Sequence, residues 1–106
     1  AEKELIKTGG ENVYPAEVES VIREHPAVAE VSVIGVADRQ WGEAIKAVCE
    51  LKPGAGADEQ EIIDFVASKI ARYKKPKYVV FVDLLPRMAK GGIDRDRVKK
   101  DHGGRY

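Results

Sequence analysis

The stretch Arg72-Tyr73-Lys74-Lys75-Pro76-Lys77 concentrates positive charge in a few residues, and it is where this sequence could hold an anion. Lysines deliver mobile point charges suited to an exposed anion, although the same stretch also reads as a solvated basic turn. Trp41 is the only tryptophan. Beside a strand, such a residue is more often part of a core or its rim than a ligand contact. Gly9-Gly10, followed by Glu11-Asn12, marks a tight turn and on its own demands nothing more of those glycines. His25 and His102 have no acidic or cysteine partners at metal-ligand spacing, so they read as surface residues and no metal site is expected. Neither a Ser–His–Asp order, nor a phosphate-cradling Gly-Lys motif, nor a paired catalytic carboxylate stands out. A self-sufficient enzyme is not what these residues describe.

The elements that would position them follow from pattern. The chain has 106 residues, 43% of them hydrophobic, which suits one compact domain spanning 1–106. Lys plus Arg and Asp plus Glu each count 18, so the formal net charge is zero, and nucleic acid or an anionic membrane is not an expected partner. The single cysteine, Cys49, excludes an internal disulfide and fits a reducing, cytoplasmic setting. No apolar run has the length of a membrane span, and no signal-peptide pattern opens the chain. Its abrupt start at Ala1-Glu2-Lys3 suggests a piece of something longer.

Glu4 to Thr8 reads as a short strand leading into the Gly9-Gly10 turn. Pro15 suits a first helical position, with Val18, Val21 and Ile22 on one face and a stop near His25 before Pro26. Val28 to Val36 reads as a strand with Ala29, Val31 and Val33 on one side, and Asp38 to Gly42 as a turn. A second strand has Ile45, Ala47, Cys49 and Leu51 on one face and Lys46 and Glu50 on the other. Asp58 and Glu61 form a capping box before a helix buried through Ile62, Ile63, Val66 and Ile70. Tyr78 to Val82 is a strand, Pro86 to Gly92 a loop, and Asp94 to Lys100 a short polar helix. The expected class is α+β. A small mixed or antiparallel sheet is packed with helices in the order β-α-β-β-α-β-α, with a short N-terminal hairpin.

Four blocks then carry a resemblance. Lys3-Glu4-Leu5-Ile6-Lys7-Thr8-Gly9-Gly10-Glu11-Asn12-Val13-Tyr14-Pro15-Ala16-Glu17-Val18-Glu19 is followed by Val33-Ile34-Gly35-Val36-Ala37-Asp38 with Trp41-Gly42-Glu43. Next come Tyr73-Lys74-Lys75-Pro76-Lys77 with Val80-Phe81-Val82, and Leu85-Pro86-Arg87 with Gly91-Gly92-Ile93. In order and approximate spacing, these resemble the C-terminal domain of acyl-CoA synthetases within the adenylate-forming, AMP-binding enzymes. The resemblance covers nearly the whole chain.

It implies a lid that works with its own large N-terminal domain, which binds ATP with Mg2+ and the carboxylic acid. The lid alternates between a pose for acyl-adenylate formation and one for attack by the CoA thiol, and is inactive alone. No ligand is expected to stay on this piece by itself. Lys3 matches the hinge. Gly9 and Gly10 border the path of the pantetheine arm, where a bare backbone lets a narrow chain pass. Trp41 would pack on the nucleotide end of CoA, and Lys75 and Lys77 match a basic pair that can hold its phosphates. The fourth block departs from the family, because Gly92 stands where a lysine normally offsets charge during adenylation. The lysine is lost, or Lys90 substitutes for it, or the local register is offset. Two other readings stay open, a non-catalytic binding or interaction module with the same fold and the lid of an enzyme that loads a carrier protein. Without its partner domain, the lid is also expected to expose an apolar face and self-associate.

Overall fold

The computed structural model describes residues 5–104, so Lys3, the expected hinge, lies outside the described residues. Strands β1 (Ile6–Thr8) and β2 (Glu11–Val13) form the expected hairpin around Gly9-Gly10. Helix α1 (Pro15–Arg23) starts at its proline and buries Val18, Val21 and Ile22. It ends before Pro26, whose ring disfavours helical geometry in the residue before it.

Strands β3 (Val28–Asp38) and β4 (Gly42–Leu51) make a long antiparallel pair. Helix α2 (Glu59–Ala67) and a single 3-10 turn (Arg72–Lys74) lead to β5 (Tyr78–Val82), which runs parallel to β4. Helix α3 (Arg95–His102) follows a hairpin-like loop. The sheet is therefore mixed, with one parallel pair among antiparallel ones.

Both sheet faces are covered. On one, Val18 and Ile22 of α1 and Ile62 and Val66 of α2 pack on Val31, Val33, Ile45, Ala47 and Cys49. On the other, Ile34, Val36, Ala44 and Val48 meet Leu85 and Val98 of α3. Double burial explains why β4 is apolar on both sides, and it overturns the reading of Lys46 as a polar-face residue. Lys46 is only 4% exposed, and its ammonium donates to the His102 carbonyl at 2.9 Å. That carbonyl lies at the C-terminal end of α3, where a cation meets the negative end of the helix dipole.

Three further expectations are corrected. Ala29 is exposed, because a bulge between Val28 and Glu30 resets the alternation so that Val28 and Val31 point inward instead. Ile70 lies beyond the end of α2, although it still packs partly buried against the core. His25 is buried rather than on the surface. Its Nε2 pairs with Glu61 at 2.8 Å, and its Nδ1 accepts the Ala27 amide hydrogen at 3.1 Å. Glu61 therefore serves the capping box by half. Asp58 accepts the Glu61 amide hydrogen at 2.8 Å, while the Glu61 carboxylate goes to His25.

Burial pushes the Cys49 thiol up to about 12 from an ordinary 9.0. Between those values the unfolded chain ionises first, so rising alkalinity favours unfolding. At pH 8 the folded thiol should carry on the order of a thousandfold less thiolate than a free cysteine. Alkylation by iodoacetamide should then track global unfolding. Rapid labelling of the folded protein would show that Cys49 is not sealed in the core.

Candidate functional site

The site begins with a mismatch along one edge of β4. Its first residue, Gly42, pairs with Thr8 of β1, whereas β5 pairs only from Lys46 onward. Between these two neighbours, Ala44 and Ile45 are left facing a cleft of about 370 Å³. Its walls are Thr8, Gly9 and Glu11 from the first hairpin, Trp41 from the β3–β4 turn, and Arg72, Tyr73, Lys75, Pro76 and Lys77. The volume falls in the range of small-molecule sites. Four residues singled out in the sequence, Gly9, Trp41, Lys75 and Lys77, thus meet in one place. Gly10 does not line the cleft, and neither do Lys90 and Gly92.

Trp41 is 46% exposed, and its indole lies over Gly9. Gly9 has φ +58°, and a Cβ built on it would sit 2.7 Å from Trp41 Cε3. The Gly9 amide also donates to the Trp41 carbonyl at 2.9 Å. This glycine is required twice, by the left-handed turn and by the ring packed on its bare face. Tyr73, on the opposite wall, is 45% exposed and was singled out only as part of its block. The cleft therefore presents two aromatic surfaces. Glu43 fixes the hairpin from below by accepting the Lys7 amide hydrogen at 2.8 Å.

The basic stretch is not uniformly available. Lys74 reaches both carboxylate oxygens of Glu17 at 2.9 Å, tying the 3-10 turn to α1. Lys77 donates to Asp38 at 2.8 Å. Arg72 and Lys75 are exposed, and their side chains form no hydrogen bond or ion pair with any described residue. Sequence reasoning named Arg72 only within the basic stretch and Asp38 only as the start of a turn, and gave neither a role of its own. For Asp38 a signal existed, since an aspartate ahead of a turn commonly accepts backbone amides two and three residues on. Here it does so from Gln40 and Trp41, both at 2.9 Å.

Hydrogen bonding from Lys77, then from the Trp41 amide, holds the Asp38 carboxyl below its ordinary 3.8. The same bond raises Lys77 above 10.5. A depressed carboxyl stabilises the fold above its unfolded value and loses that contribution as pH falls through its folded one; the raised lysine does the reverse at high pH. The turn should thus keep its order across neutral pH and loosen only in strong acid or strong alkali. Trp41 emission across a pH titration checks this, and a midpoint near neutrality would contradict it.

The fourth block, expected as a loop, forms a tight hairpin. Arg87 bridges Ile93, Met88 and Gly92 share an N–H to O bond of 2.9 Å, and the Asp94 amide donates to the Pro86 carbonyl at 2.8 Å. Arg87 is anchored to Glu50 at 3.0 Å, and Arg95 to Glu19 at 2.6 Å. Gly92 has φ +84°, with only Met88 Cε, at 3.6 Å, near the place of a Cβ. Lys90 is exposed near the tip.

The family model that describes the AMP-binding enzyme C-terminal domain matches residues 17–91. This chain belongs to that family. The AMP-binding enzyme C-terminal domain described here is 46% identical over 98 residues to indoleacetate–CoA ligase of Aromatoleum aromaticum, covering 92% of this chain and 19% of that protein. It is 45% identical to 2-succinylbenzoate–CoA ligase of Geobacillus kaustophilus, covering 92% and 20%. Among solved structures, a Mycobacterium tuberculosis fatty acyl CoA synthetase superposes with TM-score 0.87 at 41% identity, covering 93% of this chain and 20% of that one. ATP-bound MatB from Rhodopseudomonas palustris superposes with TM-score 0.89 at 40% identity, covering 95% and 20%. The domain thus spans about a fifth of the length of the proteins it matches.

Proposed function

We propose that this domain is the mobile lid of an ATP-dependent acid–CoA ligase and that its cleft receives the nucleotide end of CoA. The observation that carries the reading is the meeting of Trp41, Tyr73, Arg72 and Lys75 around one opening. Aromatic faces suit a purine, and uncommitted cations suit its phosphates. Gly9 and Gly10 form the turn beside it, where a thiol-bearing arm would leave the cleft along bare backbone.

The chain's own part in the chemistry is to bind and orient. Arg72 and Lys75 hold phosphate charge, Trp41 fixes a ring plane, and the paired strands beneath keep both rigid. Adenylation belongs to the larger domain, to which the 87–93 hairpin would present its tip. That larger domain would also bind the acid and ATP with Mg2+. Among the described residues, no group of three or more His, Cys, Asp or Glu could hold a metal ion here. Nor, among the described residues, is any helix long and apolar enough to cross a membrane. The exposed Leu84, ahead of the hairpin, and Met88, within it, are 70% and 43% accessible and would pack against the larger domain or a second copy.

The test uses the intact protein that carries this chain. Acid-dependent pyrophosphate exchange with ATP reads adenylation, and thioester formation from a supplied acyl-adenylate reads transfer. Transfer to free CoA is expected, with slow exchange because Gly92 lacks the family's amine. Transfer to a pantetheine-bearing carrier protein in preference to CoA would assign the cleft to a carrier instead. Neither activity would leave a binding module.

A further inference from the structure

Asp38 closes β3, and its side chain is only 4% exposed. Both of its oxygens are committed. Oδ1 accepts from the Gln40 and Trp41 amides, and Oδ2 from the Lys77 ammonium. These donors come from two separate segments that wall the cleft, the β3–β4 turn through Trp41 and the lead-in to β5 through Lys77. Lys77 is fixed at its backbone too, where its amide donates to the Ile45 carbonyl at 2.8 Å. Turning its ammonium to a ligand would take from Asp38 Oδ2 its charged donor and break a short ion pair. Arg72 and Lys75 carry no such debt. An arginine fork also matches phosphate oxygens in pairs.

We propose that Asp38 and Lys77 form a positioning clasp holding the two walls of the cleft in register, and that the phosphate charge of the ligand is read by Arg72 and Lys75. The inference deepens the CoA reading and rests on it. It changes the role of Lys77 from a phosphate contact to a structural partner, and it gives Asp38 control over where the Trp41 ring sits.

The two roles of Lys77 predict opposite signs for Asp38→Ala. If Lys77 contacts phosphate, removing Asp38 frees it and CoA binds as well or better. If the pair is a clasp, removing either member loosens the walls and CoA binds worse, even though Asp38→Ala makes the cleft more positive. In the intact protein, with acyl-adenylate supplied, Asp38→Ala and Lys77→Ala should each raise KM for CoA roughly fivefold with kcat little changed. The double variant should be no worse than the worse single one, because members of one pair are not additive. Asp38→Asn, which keeps the acceptor for the turn, should fall between. Arg72→Ala and Lys75→Ala should each raise KM about tenfold, and their effects should multiply.

A second measurement does not depend on turnover. With 5-fluorotryptophan incorporated, the Trp41 19F resonance, assigned by its loss in Trp41→Phe, should shift in Asp38→Ala and Lys77→Ala and stay in Arg72→Ala and Lys75→Ala. A KM that falls or holds in Asp38→Ala, single effects that multiply within the clasp pair, or an unmoved Trp41 resonance would each overturn the clasp. If the unaltered protein shows no CoA-dependent turnover, the CoA reading fails by itself, and the resonance alone decides the clasp.

Discussion

Substituting Gly92→Lys in the intact protein should raise acid-dependent pyrophosphate exchange about 10²–10³-fold. A preorganised donor aimed at developing negative charge is worth about 2.7–4 kcal/mol. Against it stands the backbone, since Gly92 sits at φ +84°, and a left-handed residue with a Cβ costs about 1–2 kcal/mol. The space itself is open apart from the flexible end of Met88. The charge therefore outweighs the strain. Lys90→Ala in the unaltered background should do little, because hydrogen bonds at both ends of the hairpin keep Lys90 from taking the place of position 92. A gain below tenfold with Gly92→Lys, together with a loss on Lys90→Ala, would show that Lys90 already supplies the charge.

Gly9→Ala should cut CoA-dependent thioester formation about a hundredfold while leaving the domain folded. The new methyl would lie 2.7 Å from Trp41 Cε3, so the indole must move off the turn. The left-handed φ adds about 1–2 kcal/mol of strain, too little to unfold most domains. A displacement near 1 Å in a binding wall is enough for a hundredfold loss. Thermal unfolding followed beside the transfer assay separates the two effects. Full transfer with a shifted Trp41 signal would show that the ring is not a ligand contact.

The helices and strands were largely legible in the sequence because their apolar spacing and caps are local. Pro15, Asp58 and the Val18-Val21-Ile22 spacing each act within a turn or two. What could not be read depends on partners distant in the chain. The burial of His25 needs Glu61, 36 residues away, and that of Lys46 needs His102, 56 residues away. The misplaced Ala29 has a different cause, because a bulge is decided by pairing with β4 and leaves no mark on alternation within one strand. At the site, the resemblance pointed to Gly9, Trp41, Lys75 and Lys77, and the fold places them together. It could not separate paired from unpaired lysines, since that distinction rests on where Asp38 and Glu17 come to lie.

The cleft exists because two strands share one edge of β4 and leave a gap in strand pairing between Gly42 and Lys46. The walls described above all come from this domain, and the floor is β4, in the middle of its sheet. A molecule gripped there travels with the domain as cargo through any rotation against a neighbour. Its contacts here are the same before and after, and equal affinity for two poses moves no equilibrium between them. On the CoA reading proposed above, any preference of CoA for one orientation would come from the part of it that reaches past these walls, through the thiol arm, towards the other domain.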